Sequence, residues 1–277
     1  MLSQTFILKK LLDVPLKFAD KKDISLLMEI SKTCLSVVWY SNGPKKIWGT
    51  EVYDLPSGVA FEAELIALIS TIRQHKLKPE KVNLYFDFPD FMLVPDELYK
   101  QGSEADMLDL FFGKEANVVC KTDQLKIAEV KNVYRISNSI LNPISMAFPN
   151  AKLTHSNVKQ INGKVEGDLL TGIVFNNIIK LFLYQNNELH LVKHFTFSTH
   201  DDVVYAVLQI CSVHDIDPNQ IKLRLKGMIV KDSALYQSLY NYFMDIDLEE
   251  NVYGVQMTNG FSDIPKQYMS HLIELTL

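Results

Sequence analysis

An internal repeat constrains this chain more than any other feature of its sequence. Residues 25–87 resemble residues 169–226, and the match is tightest between HKLKPEKVNL (75–84) and HDIDPNQIKL (214–223). There His, Pro, a branched aliphatic residue and Leu recur at one constant offset of 139 residues. Upstream the offset is 144 residues, so a few residues were gained or lost between the two parts. Repeated units of this length predict two similar domains rather than a solenoid.

Each copy has the pattern of three strands, a helix and a fourth strand. In the first copy, runs rich in β-branched and aromatic residues predict strands at 24–30, 34–40 and 46–52. Apolar residues at helical spacing predict a helix over 59–75. The strand 82–86 follows that helix, so we expect it to lie parallel to the first strand. In the second copy the corresponding strands are predicted at 169–175, 178–184, 189–195 and 221–225.

The first copy carries extra material. We expect a short helix to begin at Pro95, where Asp and Glu follow the proline, and an inserted segment of short elements over about 100–148. An Asn-Gly turn marks the boundary between a first domain, 1–162, and a second domain, 163–277. A terminal helix over 265–277 belongs to the second domain or packs back on the first.

Composition limits the functions that this chain can have. Its 277 residues carry a net charge of −5, so no global basic field exists to hold nucleic acid or an anionic membrane. Three widely spaced cysteines, Cys34, Cys120 and Cys211, are typical of reduced residues in a cytoplasmic protein. No apolar run approaches the length of a membrane span. We therefore expect a cytoplasmic protein that binds no nucleic acid and does not insert into a membrane; its partners are expected to be proteins.

The repeated β-β-β-α-β-α unit resembles the ribonuclease-H-like fold that is doubled in the actin-like superfamily. More closely, the stretches FMLVPDELY (91–99) and LKGMIVKDSALYQSLYNYF (225–243) are similar to an uncharacterised Bacteroidetes family of such proteins, domain-of-unknown-function family 3822. The resemblance implies an α/β fold with two ribonuclease-H-like domains, each a mixed five-stranded sheet with helices packed on it. It implies no particular activity.

The superfamily resemblance also implies where a nucleotide would bind. Two Asp-x-Gly turns, one after the first strand of each copy, hold metal and phosphates in that superfamily, and a Gly-Gly turn holds adenosine. In this chain Glu29 and Ser31 stand in the first turn, Asn176 stands in the second, and only Gly227 stands at the third. Glycine allows backbone N–H groups to approach phosphate, and a carboxylate anchors Mg²⁺. These degenerate positions predict that no cofactor is bound.

Two other groups of charged residues are candidate sites. Lys222, Arg224 and Lys226 share one face of the fourth strand of the second copy, where they either pair with acids such as Asp245 or Glu249 on a neighbouring helix or form an anion or partner site. Acids near the positions used by ribonuclease-H-like nucleases are either metal ligands or solvated surface residues. These acids are Glu29, Glu62 or Glu64, and Asp87.

Three functions remain in view. The leading hypothesis is a nonenzymatic actin-like pseudo-ATPase that serves as a cytoplasmic interaction or assembly module. The alternative is an actin-like protein that binds or hydrolyses nucleotide, and a metal-dependent nuclease is the weakest of the three. The sequence predicts no catalytic residue and no metal ligand for the leading hypothesis.

Overall fold

The computed structural model describes residues 10–15, 23–75, 77–125, 129–161, 165–250 and 254–277. These residues form a mixed α/β protein with two compact units. The first unit holds the described residues up to Ile161 together with Val255–Ser262, and the second holds those that follow up to Gly254 together with Asp263–Leu275. The predicted boundary turn, Asn162-Gly163, lies outside the described residues.

The first unit is built on one large sheet. Its strands in chain order are β1 (Lys10–Val14), β2 (Ile24–Ser31), β3 (Cys34–Asn42), β4 (Lys45–Asp54), β5 (Val82–Asp87), β6 (Phe91–Pro95), β7 (Val118–Gln124), β8 (Val130–Ser137) and β9 (Lys152–His155). Its helices are α1 (Ala60–Arg73), α2 (Glu104–Phe112), α3 (Asn138–Ala147) and α4 (Asn157–Gln160). The large sheet has the order β1-β4-β3-β2-β5-β9.

Local patterns explain the centre of this sheet. Strand β2 is buried along almost its whole length, as expected for a central strand covered on both faces. Helix α1 buries Leu65, Leu68, Ile69 and Ile72, which recur at helical spacing. Because the chain returns through α1, β5 lies parallel to β2, with Leu26 opposite Val82. The predicted strand-helix-strand crossover is therefore present.

The extra material of the first unit forms a sheet of its own. Strands β6, β8 and β7 pair antiparallel in that order, and α2 packs against them. The prediction of a helix starting at Pro95 is wrong, because residues 91–95 form β6 and only a turn follows them. Phe91 and Val94 are buried, so β6 is held by long-range pairing with β8 rather than by local propensity.

The second unit is built on a five-stranded sheet. Its elements in chain order are β10 (Leu169–Phe175), β11 (Ile178–Gln185), β12 (Glu188–Thr196), α5 (His200–Val213), β13 (Lys222–Gly227), α6 (Ala234–Tyr240), β14 (Asp245–Leu248) and α7 (Lys266–Thr276). The short strand β15 (Gln256–Met257) pairs with β4 and belongs to the first unit. Helix α7 packs within the second unit, where Gln267 Nε2 donates to Ile229 O and Ser270 Oγ donates to Glu249 O.

Both large sheets share one strand order. The second sheet runs β12-β11-β10-β13-β14, which corresponds to β4-β3-β2-β5-β9 of the first. In each, three strands form an antiparallel meander, and two further strands are parallel to the first strand of the meander. Helix α3 precedes β9 as α6 precedes β14. The predicted α/β class is therefore confirmed. None of the described helices is both long and apolar enough to cross a membrane.

Candidate functional site

The first predicted nucleotide turn joins β2 to β3 and is closed by its own hydrogen bonds. Ser31 Oγ accepts from the backbone N–H groups of Thr33 (3.3 Å) and Cys34 (3.0 Å) and donates to Cys34 O at 3.3 Å. Glu29 is buried on β2, where its Oε1 accepts from Gln160 Nε2 at 3.4 Å. The serine hydroxyl therefore takes the backbone donors that a phosphate would need.

The second predicted turn is a two-residue connection between β10 and β11. Asn176 adopts a left-handed conformation with φ of 51°, which Asn tolerates better than most residues. Asn177 O accepts from Phe197 N at 2.9 Å. The connection contains neither an acid nor a glycine, so it offers no carboxylate for a metal and no glycine for close approach of phosphate.

Gly227, at the third predicted position, has a steric reason to be glycine. Its φ is 89°, and a Cβ built on it would lie 2.1 Å from Val174 O. The next residue, Met228, donates its N–H to the same oxygen at 2.7 Å. The backbone of β10 therefore fills the space beside Gly227, and this packing accounts for the residue without a ligand.

The three cations on β13 have different surroundings. Lys222 is exposed, and Arg224 Nη2 pairs with Asp245 Oδ1 at 2.7 Å. Lys226 is buried; its Nζ lies 2.5 Å from Glu274 Oε1 and 3.5 Å from Glu249 Oε2. The expected pairing with Asp245 and Glu249 is present, but these acids lie on and just after β14 rather than on a helix.

Glu274 on α7 is the partner that the sequence did not indicate. It lies 48 residues after Lys226, and no local spacing connects the two residues. Burial raises the pKa of the Glu274 carboxyl above its ordinary value, Lys226 opposes that rise, and the neighbouring Glu249 adds to it. With Arg224 and Lys226 both paired, Lys222 is the one exposed cation of the predicted anion face.

Three of the acids proposed for a nuclease, Glu29, Glu62 and Asp87, are engaged in hydrogen bonds. Glu62 on α1 accepts from Ser139 Oγ, and Asp87 at the end of β5 accepts from Ser156 Oγ. Glu29 contacts Gln160 as described above. In the part of the chain that the structure describes, no three acidic, histidine or cysteine side chains are arranged to hold a metal ion.

A buried polar network beside these acids was not predicted. His155 Nδ1 accepts from Asn157 N at 3.2 Å, so Nε2 carries the proton and donates to Phe88 O at 3.1 Å. Asp123 Oδ2 accepts from His155 N at 2.7 Å, and burial raises the pKa of the Asp123 carboxyl. Both ring nitrogens of His155 therefore bond to backbone groups, one at the start of α4 and one just after β5, which favours a structural role.

Arg135 on β8 connects the parts of the inserted sheet. Its side chain is 5% exposed, and its guanidinium bonds to Asp90 at 2.7 and 3.0 Å. It also reaches Asp109 at 3.4 Å, Glu115 at 3.2 Å and Gly113 O at 2.7 Å. A single buried guanidinium therefore fixes the C-terminal end of α2 to the strand beneath it.

A cavity of about 310 Å³ lies in the first unit near the N-terminal ends of β2 and β5. Its apolar wall includes Trp39 and Phe148, and its lining includes charges of both signs, Arg73, Lys78 and Glu80. The predicted nucleotide turn after β2 lies at the opposite end of that strand, so this cavity is separate from the superfamily site.

The family model described as protein of unknown function (DUF3822) matches residues 13–246. The chain belongs to the DUF3822 family. A comparison with curated proteins finds no significant match. Membership therefore confirms the predicted family and assigns no activity.

Two solved structures show the fold of this DUF3822 protein. One is a protein from Bacteroides thetaiotaomicron VPI-5482, described as having an actin-like ATPase fold and unknown function. It is 15% identical to this chain with a TM-score of 0.75, and the match covers 95% of this chain and 100% of that one. A chain of a PilM-PilN type IV pilus biogenesis complex is 14% identical with a TM-score of 0.62, and the match covers 91% of this chain and 97% of that one. The fold is therefore the actin-like ATPase fold.

Proposed function

We propose that this DUF3822 protein is a nonenzymatic, actin-like pseudo-ATPase that serves as a protein-interaction or assembly module in the cytoplasm. One observation carries the proposal. The N–H groups of Thr33 and Cys34 donate to Ser31 Oγ instead of facing open space. Phosphate sites in turns depend on such N–H groups being available to the ligand.

The other two positions support the same reading. The β10–β11 turn has no acid to anchor Mg²⁺, and the backbone of Val174 fills the space beside Gly227. Each lost charge-assisted contact costs on the order of 1.5–3 kcal/mol. Three missing elements would weaken a micromolar nucleotide site by several decades in Kd.

Partner binding is supported by likeness and by charge. The second similar structure is a PilM-PilN type IV pilus biogenesis complex, so a chain with this fold occurs there in a complex. A net charge of −5 favours protein partners over nucleic acid. Cys34, Cys120 and Cys211 are free thiols, which fits a reducing cytoplasm. The shared strand order of the two sheets supports duplication of one ribonuclease-H-like unit, with domains 1–162 and 163–277.

Isothermal titration with Mg-ATP at millimolar concentration tests the pseudo-ATPase proposal. We expect no saturable heat and no release of phosphate. A Ser31→Gly variant frees the two N–H groups. It should gain at most weak binding of Mg-ATP, because the β10–β11 turn still lacks a carboxylate that could anchor Mg²⁺. A micromolar Kd for the natural chain, lost in Glu29→Gln, would falsify the proposal and favour the nucleotide-binding alternative.

A further inference from the structure

Helix α2 presents consecutive apolar side chains to solvent at its C-terminal end. Leu110 is 80% exposed, Phe111 67% and Phe112 39%. Single exposed apolar residues are common on protein surfaces, whereas three in succession at the end of one helix make that end a candidate interaction site. We call Asp106, Leu110, Phe111 and Phe112 the α2 surface.

This exposure does not come from a loosely held helix. Leu108 is fully buried in a small core with Val94 and Val133. Tyr99 donates a hydrogen bond to Glu104 at the first turn, and Arg135 bonds to the C-terminal end. The apolar side chains therefore stand on a helix that is fixed at both ends, which lowers the entropy cost of binding a partner.

Charge decides what kind of partner fits. Asp106 is exposed and lies one turn before Leu110, so the two share a face of the helix. Residues 104–115 contain four acids and one lysine, and two of the acids, Asp109 and Glu115, contact Arg135. The segment therefore keeps a net charge of −2 when Arg135 is counted with it. Two copies meeting through this surface would place acids against acids, and an anionic membrane would be repelled. A basic partner would gain from both the charge and the apolar area.

We propose that the α2 surface binds a basic protein segment with an apolar face, such as a cationic amphipathic helix. Leucine-like side chains of that segment pack on Leu110 and Phe111, and its lysine or arginine residues lie near Asp106. The proposal deepens the interaction role given above and rests on it for the claim that the partner is a protein.

Two synthetic amphipathic helical peptides of equal length test the chemistry. They share one leucine face, and the polar face carries lysine in one and glutamate in the other. Fluorescence anisotropy should show at least about tenfold tighter binding of the lysine peptide. The double variant Leu110→Gln/Phe111→Gln should weaken that binding about tenfold or more. Asp106→Lys should reduce or reverse the preference between the peptides.

Met146→Gln is the matched control, because Met146 is 78% exposed on α3 and lies outside the α2 surface. Its affinity for the lysine peptide should equal that of the natural chain. Equal affinity for both peptides, or an unchanged affinity in the double variant, overturns the proposal. Sedimentation that shows dimers lost in the double variant overturns it in favour of a second copy.

The same variants separate this proposal from the proposed function. If a partner purified from the native host binds the natural chain and the double variant equally, the α2 surface proposal fails and the interaction role stands. If Mg-ATP binds with micromolar Kd while the peptide results hold, the pseudo-ATPase proposal fails and the α2 surface proposal stands.

Discussion

Replacing Lys226 with methionine tests the charge balance inside the second unit. Methionine keeps the length of the side chain but removes the charge that lies 2.5 Å from Glu274 and 3.5 Å from Glu249. The side chain of Lys226 is only 7% exposed, so water cannot replace the lost cation easily. We expect Lys226→Met to destabilise the second unit more than any surface charge change.

The expected cost follows from the exposure of the two acids. Removing one partner of a fully buried ion pair costs about 3–5 kcal/mol. Glu274 and Glu249 keep 19% and 26% side-chain exposure, so we expect the lower end, about 3 kcal/mol near pH 8. Arg224→Met is the matched control, because Arg224 and Asp245 are 28% and 48% exposed and an exposed pair contributes at most about 1 kcal/mol.

The cost should depend on pH in a definite direction. Burial raises the pKa of folded Glu274, and losing Lys226 removes the influence that opposes this rise. The folded state then keeps a proton that the unfolded state has lost, so stability falls as pH rises above the ordinary pKa of Glu. The destabilisation by Lys226→Met should therefore be smaller near pH 5 than near pH 8.

Urea unfolding followed by far-ultraviolet circular dichroism measures these effects. Both tryptophans, Trp39 and Trp48, lie in the first unit, so their fluorescence reports separately on that unit. Adding Glu274→Leu to Lys226→Met should recover part of the lost stability, because the remaining acid, Glu249, is more exposed than Glu274. If Lys226→Met lowers the free energy of unfolding by less than about 1 kcal/mol at pH 8, or by the same amount at every pH, Lys226 does not balance the charges of Glu274 and Glu249 in the folded state.

Two further substitutions test packing. Gly227→Ala should lower the free energy of unfolding by about 3 kcal/mol or more, because the added Cβ would meet Val174 O. Gly102→Ala is the control: Gly102 also has a positive φ, 90°, but has open space around it, so the loss should be about 1 kcal/mol. Equal urea midpoints for the two variants would contradict this prediction. Arg135→Met should destabilise the inserted sheet by about 2 kcal/mol. It should also speed amide hydrogen exchange in α2, because Arg135 bonds to the C-terminal end of that helix. Unchanged exchange in α2 would show that Arg135 does not hold the helix.

Local patterns predicted the centre of each sheet well. The runs that became β2 and β10 are bounded by turn residues, and the crossover helices α1 and α5 require parallel return strands. Strand β6 could not be found in this way. Pro95 followed by two acids is typical of a helix start, and the residues that hold β6 extended lie on β8, nearly 40 residues later.

The candidate site shows the same division between local and distant information. The sequence shows that Ser31 stands where a glycine is expected, but only the structure shows its hydroxyl closing the turn on Thr33 and Cys34. The steric need for Gly227 depends on β10, more than 50 residues earlier, and the partner of Lys226 lies on α7. Such long-range contacts leave no periodic pattern in the sequence.

The hydrogen bond from His155 N to Asp123 has a consequence for solubility. Strand β9 is the last strand of its sheet, and an uncovered outer N–H is a site where another chain can add a strand. The inserted sheet supplies Asp123 at that position. The corresponding strand of the second unit, β14, is short and exposes Asp245 and Asp247, which pair with Arg224 and Lys231. Short edge strands that carry charged side chains deter the addition of another strand. At the same edge, one sheet thus has an outer N–H taken by a carboxylate, whereas the other has a short strand lined with ion pairs.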